Sequence, residues 1–445
     1  MKYHPASLML RVWTLCVLTY LILPFQMENR TLTVYGFLIL GLFILCFCGG
    51  ALVATRPLKQ ASSPTDVQID FSWSDIVLKV AAVGTILAFG YDLVSQGGID
   101  LAAAYAERSE RANNLLLGVI SDSGLAFQIG FLLYPAAYIY IVREIAFRIK
   151  PSVWSIAIFG LLPILFATLS MGGRSPLFFG VLVVGYGFVM RRQTFGGLHG
   201  HLPQAASKQS NAAIKLLLIV SLLLAARYFV DVFIVRAESV GGIAVMFDVA
   251  RDIWGVKFDG YLSGFMFSVM GEEYTYLIFI FSWYLVQGIV MSNVLFSEYD
   301  GPAHLGIYGI DLAAALARRI NGDFVAERFG ALLQLNIYGF LPSAFGSLYV
   351  DLFFYGLAAC MIWGWLAGLV YRRVKQADDP RWLLLVPFIN LGIFFSLINT
   401  PVGFSNGLMI YFWLLFVFFT AKKTVNVPPT EQRSQAIQLR PVIAD

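Results

Sequence analysis

Long apolar runs are the feature that most constrains what this chain can fold into. Hydrophobic residues make up 58% of the chain and charged residues 13%, which is more apolar surface than a water-soluble core can bury. Ten runs have roughly the length that a bilayer core demands of a helix. The sequence therefore predicts an all-α, polytopic integral membrane protein with about 10 (10–12) transmembrane helices. The predicted helices lie near residues 8–25, 32–53, 76–94, 124–142, 153–170, 176–190, 216–235, 350–370, 382–399 and 405–421.

Composition and motifs argue against several other classes of protein. The net charge is only +4 and the basic residues are spread among loops, so no nucleic-acid partner is predicted. All four cysteines fall inside apolar runs, which leaves neither a disulfide framework nor a zinc site. No HExxH, Walker or GxGxxG motif is present, and the GxSxG match at 403–407 (GFSNG) has no partner histidine in a later helix. We therefore expect no cofactor and no bound metal.

The distribution of basic residues predicts the orientation of the helices. With an inside N-terminus, the inside segments carry 19 Lys and Arg residues and the outside segments carry 10. This excess follows the positive-inside rule and predicts cytoplasmic N- and C-termini. The inside segments are 1–11, 54–75, 143–152, 191–215, 371–381 and 422–445.

Four regions follow from this topology. Residues 1–235 form the N-terminal membrane helices, and 236–349 form a large outer loop. Residues 350–421 form the C-terminal membrane helices, and 422–445 a cytoplasmic tail. Within the loop, 274–296 is apolar enough to span, but a full crossing would place the basic 371–381 segment outside. We therefore predict that 274–296 is re-entrant or interfacial, and an eleventh crossing stays open.

The outer loop is where ionic chemistry is expected. It holds six basic and eleven acidic residues, together with His304, the only histidine outside the N-terminus and the 199–201 loop. Its Glu298, Asp300 and His304 are spaced so that they could hold a divalent ion, but such loose spacing is common by chance, and we predict no metal site.

Two further charged points lie outside the large loop, one within a predicted membrane helix and one at an outer turn. Arg227 and Asp231 share one helix face at i and i+4, so they can form a structural ion pair or face a cavity. Arg174 sits in the tight turn of LSMGGRSP at an outer tip. It can either bind a ligand or extend to lipid headgroups.

Three segments resemble one family of membrane enzymes. The segments LSMGGRSPLFFGVLVVGYG, LLLAARYFVDV and YGFLPSAFGSLYVDLFFYG are similar to pieces of Wzy-type oligosaccharide repeat-unit polymerases of O-antigen, capsule and exopolysaccharide synthesis. The layout, with a large outer loop before the last helices, is also similar. The resemblance implies a GT-C-like glycosyltransferase in the bacterial inner membrane, acting at its periplasmic face.

The resemblance implies the substrate and its ligands. The enzyme would polymerise undecaprenyl-diphosphate-linked oligosaccharide repeats without a metal, among membrane lipids, with a chain-length regulator protein as a partner. Arginine forks suit a diphosphate, and a carboxylate or imidazole can take the proton of the acceptor hydroxyl. The predicted bases are Glu273, His304 and Glu272. The predicted diphosphate ligands are Arg174, Arg227, Arg236, Arg318, Arg319 and Arg328.

Two other functions stay open. An O-antigen ligase-type glycosyltransferase shares the layout, and it also relies on outer arginines and a histidine. A lipid-linked oligosaccharide flippase or transporter would make no bond. A transporter concentrates charge within several spans, whereas here only Lys79, Arg227 and Asp231 clearly lie in spans. We therefore favour the polymerase.

Overall fold

The fold is all-α, with a few short strands. The computed structural model describes residues 4–27, 32–56, 67–95, 124–148, 150–171, 173–196, 207–239, 241–252, 254–335, 341–376, 379–403 and 406–425. Its helices are α1 (Pro5–Ile22), α2 (Val34–Ala54), α3 (Ser72–Ser95), α4 (Leu125–Phe147), α5 (Val153–Ser170), α6 (Ser175–Gly196), α7 (Ser207–Ser239), α8 (Ile243–Asp252), α9 (Tyr261–Glu298), α10 (Asp311–Ile320), α11 (Gly322–Gln334), α12 (Ser343–Leu352), α13 (Tyr355–Gln376), α14 (Pro380–Leu397) and α15 (Gly407–Thr420).

Some of these helices are locally irregular. The path of α4 is interrupted at Tyr134 and Pro135. In α5, residues Ala157–Leu161 form a π-helical turn, and α14 begins and ends with 3₁₀ turns. A helix satisfies its own backbone hydrogen bonds, which is why this architecture suits a lipid environment.

The helices confirm that this is a multi-pass membrane protein. Among the described residues, seven helices are long and apolar enough to cross a membrane, and two shorter apolar helices join them. The seven are α1, α2, α3, α4, α5, α9 and α14. The shorter two are Ser175–Arg191 within α6 and Gly407–Thr420. The predicted span near 216–235 lies within α7.

Two pairs of strands connect distant parts of the chain. Strand β1 (Phe25–Met27) pairs antiparallel with β3 (Val256–Phe258). Strand β2 (Val67–Asp70) pairs antiparallel with β4 (Lys422–Val425). The predicted cytoplasmic tail thus begins with a strand, and its remaining residues, 426–445, lie outside the described part of the chain.

Helices α2 and α13 pack so closely that their backbones touch. A Cβ atom at Gly50 would overlap the carbonyl oxygen of Met361, and one at Gly364 would overlap that of Phe47. The Cys360 thiol donates to the Phe43 carbonyl at 3.3 Å. Residue numbers rise together along both helices, so the two run parallel. Small residues allow this approach, because lipid supplies little hydrophobic drive for helix association.

Segments predicted to be inside meet on one face of the protein. His4 Nε2 and Thr55 Oγ1 are 3.0 Å apart, which joins the start of α1 to the end of α2. Arg381 donates to the Ala421 carbonyl at 3.1 Å. Lys422 pairs with Asp70 across β2 and β4. The geometry therefore places Thr55 beside His4, and it places Asp70 and Arg381 beside the residues that follow α15.

A buried ionic network lies on the same face. Glu144 is fully buried and accepts from Arg143 at 2.9 Å and from Arg148 at 3.1 Å. Asp75 pairs with Arg143 and, at 3.1 Å, with Lys79. The network attaches the end of α4 to the start of α3 and neutralises charges that would otherwise be costly to bury.

The large loop meets the opposite ends of the helices. Gln128, near the start of α4, accepts a hydrogen bond from Arg319 at 2.8 Å. Thr400, in the turn between α14 and α15, donates to the Gly309 carbonyl at 3.4 Å. These contacts place the described part of the loop at the helix ends opposite the ionic network, and that these ends are the outer ones stays a prediction.

Helix α9 contains the apolar segment 274–296. The chain kinks at Gly271, where φ is +79°. About midway along this segment, the Trp283 ring lies 5.8 Å from Phe25, just beyond α1. Nearer its end, Asn293 donates to the Thr33 carbonyl at 2.9 Å, just before α2. These two contacts lie beside helix ends that are predicted to be outer, and a re-entrant or interfacial helix stays the prediction.

The burial of α9 explains why its sequence looks like a membrane span. Within its most apolar window, 72% of residues are buried inside the protein. Its apolar side chains therefore face protein more than lipid. Burial in the protein accounts for the apolar sequence of α9, so this sequence is not evidence that the helix crosses the membrane. Its place in the outer region remains a prediction.

The predicted span at 350–370 needs a correction at its start. Helix α12 ends at Leu352, and Phe353 has φ of +49°, a left-handed conformation that interrupts the helix. Helix α13 then begins at Tyr355. Asp351 therefore belongs to a short separate helix and not to a membrane span.

The orientation can be tested at Asn321, an exposed residue between α10 and α11. We expect Asn321→Cys to react with a membrane-impermeant thiol reagent in intact cells, because the charge distribution puts this loop outside. The native cysteines are buried or half-buried in membrane helices, so the unmodified protein is the control. Labelling that requires cell lysis would reverse the orientation.

Candidate functional site

The residues predicted to carry function are arranged along α9 and do not form one cluster. Arg174 contacts α9 at Tyr284, near its middle. His304 lies in the loop that follows the helix. Glu273 lies near its beginning, and the helical rise from Glu273 to Glu298 is about 38 Å. The structure therefore separates two places for chemistry, one around Arg174 and one around His304.

Arg174 lies in an aromatic pocket. It is only 8% exposed, and it precedes Ser175, where α6 begins. Its guanidinium carbon lies 3.7 Å from the centre of the Phe233 ring on α7. Its Nη2 donates to the Tyr284 hydroxyl at 3.2 Å. Three helices, α6, α7 and α9, thus hold this side chain in place.

The positive charge of Arg174 is not neutralised by any described carboxylate. No ion pair joins it to the described residues, and Nη1 has no hydrogen-bond partner among them. By contrast, Arg143 and Arg381 are paired with carboxylates. A buried cation is costly unless paired, and the aromatic face offsets only part of this cost. The pocket is therefore suited to bind an anion, assisted by the start of α6.

The second place is centred on His304, which is fully buried. Its ring packs edge-on against Phe329 and Tyr308, with ring centres 5.2 and 5.8 Å away. Burial, and to a smaller extent the nearby Arg328 guanidinium, lower the pKa of His304 to about 4. The imidazole is therefore neutral at pH 7 and able to accept a proton.

The hydrogen bonding of the His304 ring is incomplete. Neither ring nitrogen has a partner of good geometry among the described residues. The Arg328 backbone lies close to the ring and opposes part of the lowering of the His304 pKa. Two unpartnered nitrogens in a buried ring are unusual, which indicates a role other than packing.

Arg328 lies beside His304. It donates to the Ala303 carbonyl, and its guanidinium carbon lies 4.3 Å from the Phe324 ring centre. It is half-buried, and no ion pair joins it to a described carboxylate. Arg328 therefore resembles Arg174 in its setting. An aromatic ring covers one side of its guanidinium, and its positive charge can bind an anionic ligand.

The loop that carries His304 is attached to Asp351. One carboxylate oxygen accepts from the backbone N–H of Gly306 and of Tyr308, both at 3.0 Å. The other accepts from Gly309 at 2.9 Å. Leu305 has φ of +57°, so the loop turns sharply directly after His304.

The other predicted diphosphate ligands lie elsewhere. Arg227 is mostly exposed and pairs with Asp231 at 3.0 Å. This is the structural ion pair that the sequence analysis gave as one of two alternatives. Arg319 is exposed and bonds to Gln128, and Arg318 is half-buried on α10. The Arg236 side chain lies outside the described part of the structure. Arg227 and Arg319 therefore bond to residues other than Arg174 and His304.

Glu272 and Glu273 are both exposed, directly after the kink at Gly271. The partly dry setting that made Glu273 the preferred base is therefore absent, since its side chain faces away from the protein interior. Neither residue is near His304. We find no group of three His, Cys, Asp or Glu side chains arranged for a metal within the described residues.

Two residues of the site were not predicted. Asp351 stands in the apolar run LYVDLFFYG, and an acidic residue in such a run is itself a signal of function. Tyr284 gives no such signal, because it is one aromatic among many in α9. Its contact with Arg174 joins residues far apart in the chain.

Comparison with known proteins adds no constraint on the function. No family model, curated protein or solved structure matches this chain. The functional argument therefore depends on the geometry of the Arg174 and His304 sites.

Proposed function

We propose that this protein is a glycosyltransferase that polymerises undecaprenyl-diphosphate-linked oligosaccharide repeats. It acts at the periplasmic face of the bacterial inner membrane, with a GT-C-like architecture of about ten crossings and cytoplasmic termini. The observation that carries the proposal is Arg174, a buried guanidinium on the outer face with no described carboxylate to neutralise it.

The chemistry of the substrate fits this face. A lipid-linked sugar diphosphate puts a strongly anionic group at the headgroup plane while its tail remains in lipid. Its sugar–phosphate bond already holds the energy for transfer, so no nucleotide is needed. Guanidinium groups bind such an anion through paired hydrogen bonds and stabilise the charge that develops as the bond breaks.

The transfer step assigns roles to the His304 site. The acceptor hydroxyl oxygen forms a bond to the anomeric carbon of the donor, and the bond from that carbon to the diphosphate oxygen breaks. Undecaprenyl diphosphate leaves with the bonding electrons, and the hydroxyl proton moves to neutral His304. Because His304 is buried, the side chains packed on its ring have to move aside before an acceptor can contact it, while the loop that carries His304 stays in place.

Replacing Arg174 tests the proposal. We expect Arg174→Ala and Arg174→Lys each to lower polymer formation by about 10–100-fold, since a charged hydrogen bond contributes about 1.5–3 kcal/mol. Lysine should not rescue, because a point charge cannot replace a planar fork. The measurement is polymer length and yield from purified protein and lipid-linked repeats.

Arg227→Ala is the matched control. Arg227 is exposed and already paired with Asp231, so its loss should leave polymer yield nearly unchanged. Wild-type protein that moves lipid-linked repeats across vesicle membranes without joining them would favour a flippase. Full-length polymer from both Arg174 variants would remove this residue from the site.

A further inference from the structure

The contacts of Asp351 go beyond what its helix needs. The side chain is 4% exposed, and both carboxylate oxygens bond to backbone N–H groups of the loop after α9. Its own backbone carbonyl accepts from the Leu305 N–H at 2.9 Å. The preceding carbonyl, that of Val350, accepts from His304 at 3.1 Å. One turn of α12 therefore holds the whole segment from His304 to Gly309.

This segment needs such support because its backbone is strained. Leu305 has φ of +57° and Gly306 has φ of +94°. A left-handed leucine is strained and persists only where the surroundings enforce it. The turn also directs several N–H groups to one point, an arrangement that favours an anion at its centre. The Asp351 carboxylate is that anion.

We infer that Asp351 is a positioning residue that fixes the His304 loop, and with it the imidazole, relative to Arg328. The role in transfer rests on the proposed function, while the structural role does not. Asp351 itself is covered by the loop and has no path to a substrate, so it acts through His304. Its carboxylate is thus a part of the site that the resemblance did not assign.

The chemistry of Asp351 makes a graded series of variants possible. In Asp351→Asn one oxygen remains an acceptor, but the amide NH₂ opposes an N–H donor. In Asp351→Ala all three loop N–H groups lose their acceptor. Asp300→Asn is the matched control, since Asp300 precedes the same loop but is exposed.

Two measurements test the inference. The first is hydrogen–deuterium exchange of the 304–309 amides, which we expect to accelerate at least tenfold in Asp351→Asn and further in Asp351→Ala. The second is the kinetics of polymer formation, per folded protein. There kcat should fall about 10–100-fold, since at least one charged hydrogen bond is lost, while KM stays within about twofold because the arginines are untouched.

The outcomes separate the inference from the proposed function. Unchanged exchange in both Asp351 variants overturns the inference, whatever the protein does. Faster exchange with wild-type kcat shows that the loop is held but that its position does not affect transfer, and this also overturns it. Wild-type protein that forms no polymer overturns the proposed function, and the exchange result then decides the structural role alone.

Discussion

Gly50→Ala is expected to destabilise the protein by about 3 kcal/mol, because the added methyl group meets backbone and not a movable side chain. A Cβ at Gly50 overlaps the Met361 carbonyl oxygen and crowds the Trp365 amide nitrogen. Neither atom can rotate away, so α2 and α13 have to separate along their length. Thermal unfolding of the purified protein in detergent, followed by size-exclusion chromatography, measures the loss.

The neighbouring glycine provides the control. A Cβ at Gly49 meets no atom within 4 Å, and alanine favours helix by up to about 1 kcal/mol over glycine. Gly49→Ala should therefore leave stability unchanged or raise it slightly. Equal unfolding temperatures for the two variants would mean that α2 and α13 do not touch as described.

Glu144→Ala is expected to cost about 3–5 kcal/mol of stability, the usual result of breaking a buried ion pair from one side. Glu144 accepts from Arg143, from Arg148 and, at 3.1 Å, from the Ser152 backbone. Its removal leaves Arg143 buried with one carboxylate partner fewer. Thermal unfolding again gives the measurement.

The matched control for this variant is Glu238→Ala, because Glu238 is exposed on α7 and such changes cost within about 0.5 kcal/mol. The network lies on the face opposite Arg174 and His304, so polymer formation per folded molecule should not change. If Glu144→Ala unfolds at the same temperature as Glu238→Ala, the ionic network contributes little to the stability of the protein. A selective loss of activity in stable protein would link the two faces.

The sequence predicted which helix ends share a face, while the orientation of that face stays a prediction. Counting Lys and Arg residues assigned 54–75, 371–381 and 422–445 to one side, and Asp70 pairs with Lys422 while Arg381 donates to the Ala421 carbonyl. The count of Lys and Arg residues is informative because charged residues avoid lipid, whatever their partners in the folded protein are. The apolar runs were equally informative, since a helix is the simplest way to satisfy the backbone in a membrane.

The site was much less predictable. Arg174 could be selected as an unusual cation at an outer turn, but its contact with Tyr284 joins residues far apart in the chain. Glu273 was chosen for a dry environment that the structure does not give it. Asp351 was missed because its role depends on the backbone of Gly306, Tyr308 and Gly309, and backbone donors have no sequence signal.

The parallel pair of α2 and α13 also has a consequence for how the chain is made. Helix α2 is complete at Ala54, whereas α13 begins at Tyr355. At synthesis rates of about 5–20 residues per second, about 15–60 s pass before the partner of α2 exists. During that time the glycine face of α2 has only lipid or the insertion machinery beside it. Assembly of this protein is therefore a late event, in which one of the last helices to be inserted completes the packing of one of the first.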